Sequence, residues 1–171
     1  MESAIYSAQV IACGGWSLAV SMEWANNIVD TFELAKIPRA PNWLIGAVNI
    51  DGDIVPVVDL SVYFVPNAAP IAIHRHHRLL VGGKGGEYTD KNSSNVSASN
   101  SSFAILFSGL PIQIEYTREE IDVSLVIPDR LRELSLGLAK NNFVEPSGAA
   151  NKVHFEMNTV KFVYFLSNSL I

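Results

Sequence analysis

Strand-type patterns dominate the first half of the chain. Residues 8–12 and 16–20 are two mainly apolar runs, and Gly14-Gly15 lies between them. Apolar runs around a glycine pair are typical of a β-hairpin, so this region predicts two paired strands. The stretch 28–34 alternates loosely between apolar and polar residues and predicts a further strand.

Pro38 and Pro41 exclude a regular helix at their own positions. The segment after them predicts a short helical turn. Asn42 is a suitable N-cap for a helical turn that would carry Trp43, Leu44 and Ile45.

A second hairpin follows, with Asp51-Gly52 between the β-branched runs 46–50 and 53–59. Asp-Gly favours a tight primed turn, which needs a positive φ at both central residues. Pro56 has no N–H to donate and is therefore expected at a sheet edge or a bulge. Most of the apolar side chains here are expected in the core, namely Ile45, Val48, Ile54, Val55, Val57 and Val58.

The second half contains a low-hydrophobicity segment, residues 82–102, which is rich in Gly, Ser and Asn. It is predicted to be a flexible loop inside one domain, with residues 79–81 and 103–107 as neighbouring strands. Leu110 to Tyr116 predicts another strand, and Asp129 to Lys140 predicts a helix with Asp129 as its cap. The chain is expected to close with two strands around Asn158, at residues 152–157 and 159–166.

Composition narrows the class of protein. The 171 residues, 49% of them hydrophobic, fit a single folded domain of short strands, either barrels or a sandwich. The net charge of -5 argues against binding to nucleic acid, which needs a surplus of Lys and Arg. The chain has no run of 18 apolar residues, so insertion in a membrane is not predicted and a cytoplasmic location is expected. The one cysteine, Cys13, excludes an intramolecular disulfide and is expected to be a buried hydrophobe.

Catalytic and metal-binding signals are weak. There is no Walker sequence, no Cys-x-x-Cys and no His-Glu-x-x-His, so neither enzymatic activity nor a cofactor is expected. His74, His76 and His77 lie beside Arg75 and Arg78, and we interpret them as a solvated basic loop. A metal site and a pH-sensitive contact are the alternatives for these histidines. Asp51 and Asp53 flank the turn glycine, where aspartate is favoured for turn formation alone.

Residues 37–60 resemble the signature of CheW-like domains: a proline-bearing segment, then Gly-x-x-Asn-hydrophobic-x-Gly, then Ile-Val-Pro-hydrophobic-hydrophobic-Asp-Leu. The similarity extends over residues 28–64. It implies a mainly β fold of two small SH3-like five-stranded barrels that share a hydrophobic core, with one or two short helices. It further implies a non-enzymatic chemosensory adaptor, with a CheA-type histidine kinase or the cytoplasmic tip of a chemoreceptor as partner.

The resemblance also implies a protein-binding surface, composed of Asn27, Asn49, Asp51, Gly52, Asp53 and Pro56. At two of these positions the chain departs from the family. Asp51 stands where the family usually has Arg, and Asn27 stands where it usually has Glu. A divergent adaptor with altered partners, for example in a pilus-type chemosensory system, is therefore one alternative. The others are a structural module that only dimerises and a small metal-binding protein.

Overall fold

The computed structural model describes residues 3–69, 71–83, 102–141 and 153–169. Within these ranges the protein is mainly β, as predicted. The strands and helices are β1 (Tyr6–Cys13), β2 (Trp16–Ser21), β3 (Ala25–Val29), β4 (Leu44–Ile50), β5 (Asp53–Val58), α1 (Leu60–Phe64), β6 (His77–Gly82), β7 (Phe103–Glu119), α2 (Asp129–Leu134), β8 (Ser135–Asn141), β9 (His154–Met157) and α3 (Thr159–Ser169).

The strands form two sets of five, because the long strand β7 takes part in both. In the first set, β1 pairs with β2, β2 with β9, β9 with β8, β8 with β7, and β7 again with β1. These pairings therefore return to the strand from which they start. The second set follows the order β3–β6–β7–β5–β4. A single bridge between Ala35 and Ala47 extends its last strand, β4.

Three apolar clusters correspond to this arrangement. The first set encloses small and aromatic side chains, including Ala8, Ala19 and Tyr116. The second set encloses mainly valine and leucine. The largest cluster contains residues of both strand sets and of all three helices, among them Ile11, Leu18, Phe64, Phe103, Leu131 and Phe162. A shared hydrophobic core is therefore present, as the resemblance implied.

Several local predictions are confirmed. The glycine pair joins β1 to β2 with Cys13 opposite Trp16, and β6 lies next to the start of β7 with Val81 opposite Ala104. The predicted loop begins too early, because Gly82 belongs to β6 and pairs with Phe103. A Cβ atom at Gly82 would lie 2.4 Å from the ring of Trp24, so only glycine fits there. Residues 84–101 of the predicted loop lie outside the described residues.

The helix predicted over Asp129–Lys140 is wrong in its second half, where Ser135–Asn141 forms the strand β8. Leu131 and Leu134 are buried at helical spacing, but the following residues pair with β7 and β9 instead. Gly137 allows this close pairing, since a Cβ atom there would lie 2.5 Å from the Glu119 carbonyl oxygen. Asp129 is the first helical residue, and the N-cap position is occupied by Pro128.

The last strand predicted, over residues 159–166, is also wrong, because Thr159–Ser169 is the helix α3. Its β-branched and aromatic residues suggested a strand, but Phe162 and Leu166 are buried one helical turn apart. Asn158 caps the helix, with its Oδ1 accepting a hydrogen bond from Lys161 N at 3.0 Å. The strand before it, His154–Met157, is confirmed, while Lys152 lies outside the described residues.

Two further differences lie before the central hairpin in the chain. The strand predicted over residues 28–34 is shifted, because β3 ends at Val29 and Asp30 leaves it to pair with Arg78 at 2.7 Å. The helical turn predicted at Trp43 is a simple turn, in which Leu44 N donates to Pro41 O at 2.9 Å, and Leu44 already begins β4.

The short helix α1, after the hairpin, was not predicted, although Asp59 caps it by accepting from Ser61 N and Val62 N.

Candidate functional site

The β4–β5 hairpin carries five of the six predicted binding residues. Ile50 pairs with Asp53, so Asp51 and Gly52 form a two-residue loop. Their φ angles are 53° and 92°, and two positive values in succession define the primed turn that the Asp-Gly pair predicted. The side chain of Asn49 stabilises the turn, since its Oδ1 accepts a hydrogen bond from Gly52 N at 2.9 Å. The tip is thus fixed by its own residues.

Alternate residues of this hairpin face opposite ways. Val48 and Val55 are each only 2% exposed and pack in the second apolar cluster. Asn49, Asp51, Gly52 and Asp53 are exposed, which leaves two carboxylates at the tip. Ile54 was predicted to be core but is 70% exposed. A large apolar side chain in solvent beside two acidic groups gives the tip a mixed chemical character that the sequence pattern missed.

Pro56 was predicted at a sheet edge or a bulge, but it lies inside β5, between β4 and β7. Ala47 lies opposite Pro56 and exchanges both of its backbone hydrogen bonds with Ala35, at 2.8 Å each. The N–H and C=O of Ala47 therefore point away from β5, so the proline's missing N–H removes no bond to β4. On its other side, the pairing of β5 with β7 begins only at Val57. Pro56 therefore lies at a position where the pairing with β4 and β7 uses no backbone N–H donor.

Asn27 lies on another strand of the same set. It is an exposed residue of β3, opposite Val81 of β6. In the order β3–β6–β7–β5–β4, strands β3 and β4 stand at the two ends. The structure therefore gathers Asn49, Asp51, Gly52, Asp53 and Pro56 on one hairpin, and places Asn27 on the strand β3.

The three clustered histidines form a hydrogen-bonded turn. His74 N donates to His77 Nδ1 at 2.9 Å, and the two rings stack with centroids 5.8 Å apart. His77 is buried and begins β6, whereas His74 and His76 are exposed. Among the described residues, no group of three His, Cys, Asp or Glu side chains is arranged to hold a metal ion.

Two potential nucleophiles, Cys13 and Ser17, are in structural positions. Cys13 is 2% exposed, and its Sγ lies 3.6 Å from the carbonyl oxygen of Leu106. Burial, and to a lesser extent the charge of Asp59, raise the pKa of this thiol far above its usual range. Ser17 Oγ lies 2.7 Å from His154 Nδ1, a pair that joins neighbouring positions of β2 and β9. Ser17 is itself buried, which keeps this contact away from solvent.

An ordered apolar loop between β7 and α2 was missed by the sequence analysis. Val123 and Val126 are 93% and 95% exposed. Arg132 holds the loop by donating from Nη2 to Leu125 O at 2.6 Å, and Asp122 accepts from both the backbone and the hydroxyl of Ser124. These two hydrogen bonds lower the pKa of Asp122. The signal in the sequence was the apolar run that follows the charged residues 118–120.

Comparisons with known proteins give a family and a fold that agree with this arrangement of strands. The family model that describes the CheW-like domain matches residues 8–142, which include the whole β4–β5 hairpin. Among solved structures, the chain is similar to the scaffolding protein TtCheW from Thermoanaerobacter tengcongensis. The TM-score is 0.65 at 15% sequence identity, over 90% of this chain and 89% of that chain. Comparison with curated proteins finds no match. No helix in the described ranges is long and apolar enough to cross a membrane.

Proposed function

The chain belongs to the CheW-like domain family, and we propose that it is a non-enzymatic adaptor that couples receptors to a CheA-type histidine kinase. The observation that carries this proposal is the family match over residues 8–142. TtCheW, whose fold this chain shares, is likewise a scaffolding protein. A cytoplasmic location, without binding to nucleic acid or insertion in a membrane, belongs to the same proposal.

The β4–β5 hairpin is the contact surface in this proposal. A binding surface gains affinity when its backbone is ordered before the partner arrives. The primed turn and the bond from Gly52 N to Asn49 provide that order, and Ile54 supplies apolar area that a partner can bury. Asn27, on the strand β3, completes the set of contact residues in this proposal.

The acidic tip favours an altered set of partners. The family usually has Arg at the position of Asp51, and both Asp51 and Asp53 are exposed. A charge reversal at an interface changes which partners are accepted, because like charges placed together cost several kcal/mol. The partner of this chain is therefore expected to present a basic surface to the hairpin. A pilus-type chemosensory system is the setting that we propose.

The absence of enzymatic activity is supported by the environment of the reactive groups. Cys13 and Ser17 are buried in the strand framework. The exposed histidines, His74 and His76, lie on a turn with Arg75 between them. A nucleophile needs a base within hydrogen-bond reach and access to a substrate. Among the described residues, Ser17 with His154 satisfies the first condition but lacks the second.

Calorimetric titration tests the proposal. The purified chain is titrated with the regulatory domain of the CheA-type kinase, and with the cytoplasmic segment of the receptor, encoded beside its gene. We expect saturable binding to at least one of them in the micromolar range. Binding to neither at high micromolar concentration would contradict the adaptor function. A chain that binds neither but gains mass with concentration would support a purely structural module instead.

A further inference from the structure

The ladder between β1 and β7 is interrupted near the end of β1. Val10 lies opposite Ile112, but Ala12 lies opposite Ser108, so residues 109–111 of β7 face a single residue of β1. Extra residues of this kind form a bulge, at which regular pairing stops and the strand bends. The interruption lies where the two sets of strands meet, because β7 pairs with β6 up to Ser108.

A cavity of about 210 Å³ lies beside this bulge. Among the described residues that line it, only His77 and Ser108 have polar side chains, and the apolar ones include Ala12, Ile71, Leu106 and Phe107. A cavity of about 150 Å³ in an engineered protein is large enough to bind benzene. This cavity therefore has room for a benzene ring with one small polar substituent.

The two polar side chains of the cavity can each donate a hydrogen bond. His77 Nδ1 accepts from His74 N at 2.9 Å, so the proton of the neutral ring is on Nε2. Within the described ranges, neither His77 Nε2 nor Ser108 Oγ has a hydrogen-bond partner. The only fully buried side-chain polar atom without a partner there is Trp24 Nε1, so both of these donors are accessible to a ligand.

The charges around the cavity favour an anionic substituent. Arg78 lies at the bulge, where its Nη1 donates to Gly109 O at 2.8 Å while its Nε pairs with Asp30. Arg75 adds a cation that has no acidic partner among the described residues. The buried acid Asp59 lies near the end of β1, but it already accepts hydrogen bonds at the start of α1. Positive charge beside a cavity attracts anions to it.

We propose that this cavity binds a small aromatic monocarboxylate, of about the size of benzoate. The ring occupies the apolar part of the cavity, and the carboxylate accepts hydrogen bonds from His77 Nε2 and Ser108 Oγ. Hydrogen bonds to a charged acceptor are stronger than those between neutral groups, so the carboxylate gives this site its selectivity. The proposal does not depend on the adaptor function, since neither kinase nor receptor takes part in it.

Titration of the full chain with sodium benzoate, followed by amide proton chemical shifts, tests the proposal. We expect saturable shifts at residues 12–14, 77 and 106–108, with a dissociation constant between high micromolar and low millimolar, because ligands of few atoms bind weakly. Benzyl alcohol keeps the ring but lacks the charge, and it should bind on the order of tenfold more weakly. No saturable shift at tens of millimolar benzoate, saturable shifts at other residues only, or equal binding of benzyl alcohol would overturn the proposal.

Substitutions in the cavity wall identify the site. Ser108→Ala removes one donor and should weaken benzoate binding on the order of tenfold. Ala12→Leu places a larger side chain at the wall and should abolish binding. Ser7→Ala is the matched control, because Ser7 is exposed on β1, five residues before Ala12, and it should bind benzoate as the natural chain does. Unchanged binding by both cavity variants, or an equal loss in the control, would overturn the proposal.

Melting temperatures of these variants, measured in parallel, separate a lost site from lost folding. If Ser108→Ala is unfolded, Ser108→Cys serves in its place, because a thiol of similar size is a weaker donor than a hydroxyl. If Ala12→Leu is unfolded, Ala12→Val serves in its place with a smaller expected loss. A chain that binds benzoate but neither kinase nor receptor would support this inference and contradict the adaptor proposal.

Discussion

Asp51 and Gly52 show how two residues determine the shape of the candidate site. A positive φ costs little for glycine and is tolerated by aspartate, whereas most other residues are strained there. The pair thus fixes a two-residue loop, and the loop fixes the register by which Val48 and Val55 face inward. The same register places Ile54 in solvent.

Replacing Gly52 with alanine tests the importance of this turn. The φ of Gly52 is 92°, and a Cβ atom there would contact nothing within 4 Å, so the cost arises from the backbone alone. We expect Gly52→Ala to lower the free energy of unfolding by about 1–2 kcal/mol in urea denaturation. Gly15→Ala is the matched control, because Gly15 is equally open but lacks a positive φ, and it should change nothing. Equal effects of the two substitutions would contradict this account of the turn.

Cys13 provides a second test at the residue scale. Because burial raises the pKa of its thiol, the reactive thiolate is scarce at pH 8 in the folded protein. We expect an aromatic disulfide reagent to leave Cys13 unmodified at pH 8 under native conditions and to modify it fully in denaturant. Rapid modification of the native protein would show that the thiol is accessible and that the packing of β1 against β7 is wrong.

At the scale of elements, an ion pair joins β7 to β9 across the intervening strand β8. Arg118 donates to both carboxylate oxygens of Glu156, at 2.6 and 2.7 Å. The Arg118 guanidinium also stacks 4.7 Å from the ring centroid of Tyr6. Burial, followed by the hydrogen bond to Glu156, raises the pKa of the Tyr116 phenol and keeps it neutral. These contacts join β7 and β9 to each other and to β1.

Removing the charge of Glu156 should therefore destabilise the fold. Its side chain is only 7% exposed, so Glu156→Gln leaves Arg118 with a weaker, partly buried partner. We expect a loss of about 1–3 kcal/mol in the free energy of unfolding, the range for a hydrogen bond to a charged group. Glu119→Gln is the matched control, since Glu119 pairs with Lys140 at the surface, and its melting temperature should stay unchanged. A control as damaging as Glu156→Gln would refute the role given to burial.

Comparison of the elements shows what the sequence could predict. Both hairpins followed from local signals, because turn chemistry acts within a few residues. The β6–β7 neighbours followed from the two apolar runs that flank a segment with little apolar surface to bury. The helix predicted through Lys140 failed because residues 135–141 pair with β7 and β9, which the local pattern does not record. For α3, the capping residue Asn158 and the spacing of Phe162 and Leu166 were visible in the sequence. Its β-branched and aromatic composition favours a strand and obscures this helical spacing.

For the candidate site, the sequence located the hairpin but not its surface. The exposure of Ile54 depends on the pairing of the whole set of strands, and so does the position of Asn27 on a strand outside the hairpin. The apolar loop at Val123 and Val126 depends on the distant donor Arg132. Features of this kind follow from tertiary contacts and not from local patterns.

At the scale of the whole molecule, the strand β7 runs through both sets and passes Gly109, whose φ is 78°, between them. The shared apolar cluster contains residues of both sets, so the β4–β5 hairpin is part of one framework of nine strands. This arrangement suits a scaffold, because a rigid frame keeps contact surfaces at fixed distances from one another.

Hydrogen–deuterium exchange of the full chain, with and without its kinase or receptor partner, tests the hairpin's role most directly. We predict that a saturating partner slows amide exchange at residues 49–54, while the β8–β9 pair, in the other set of strands, exchanges as before. Binding that leaves residues 49–54 unchanged and protects a different surface would contradict the account.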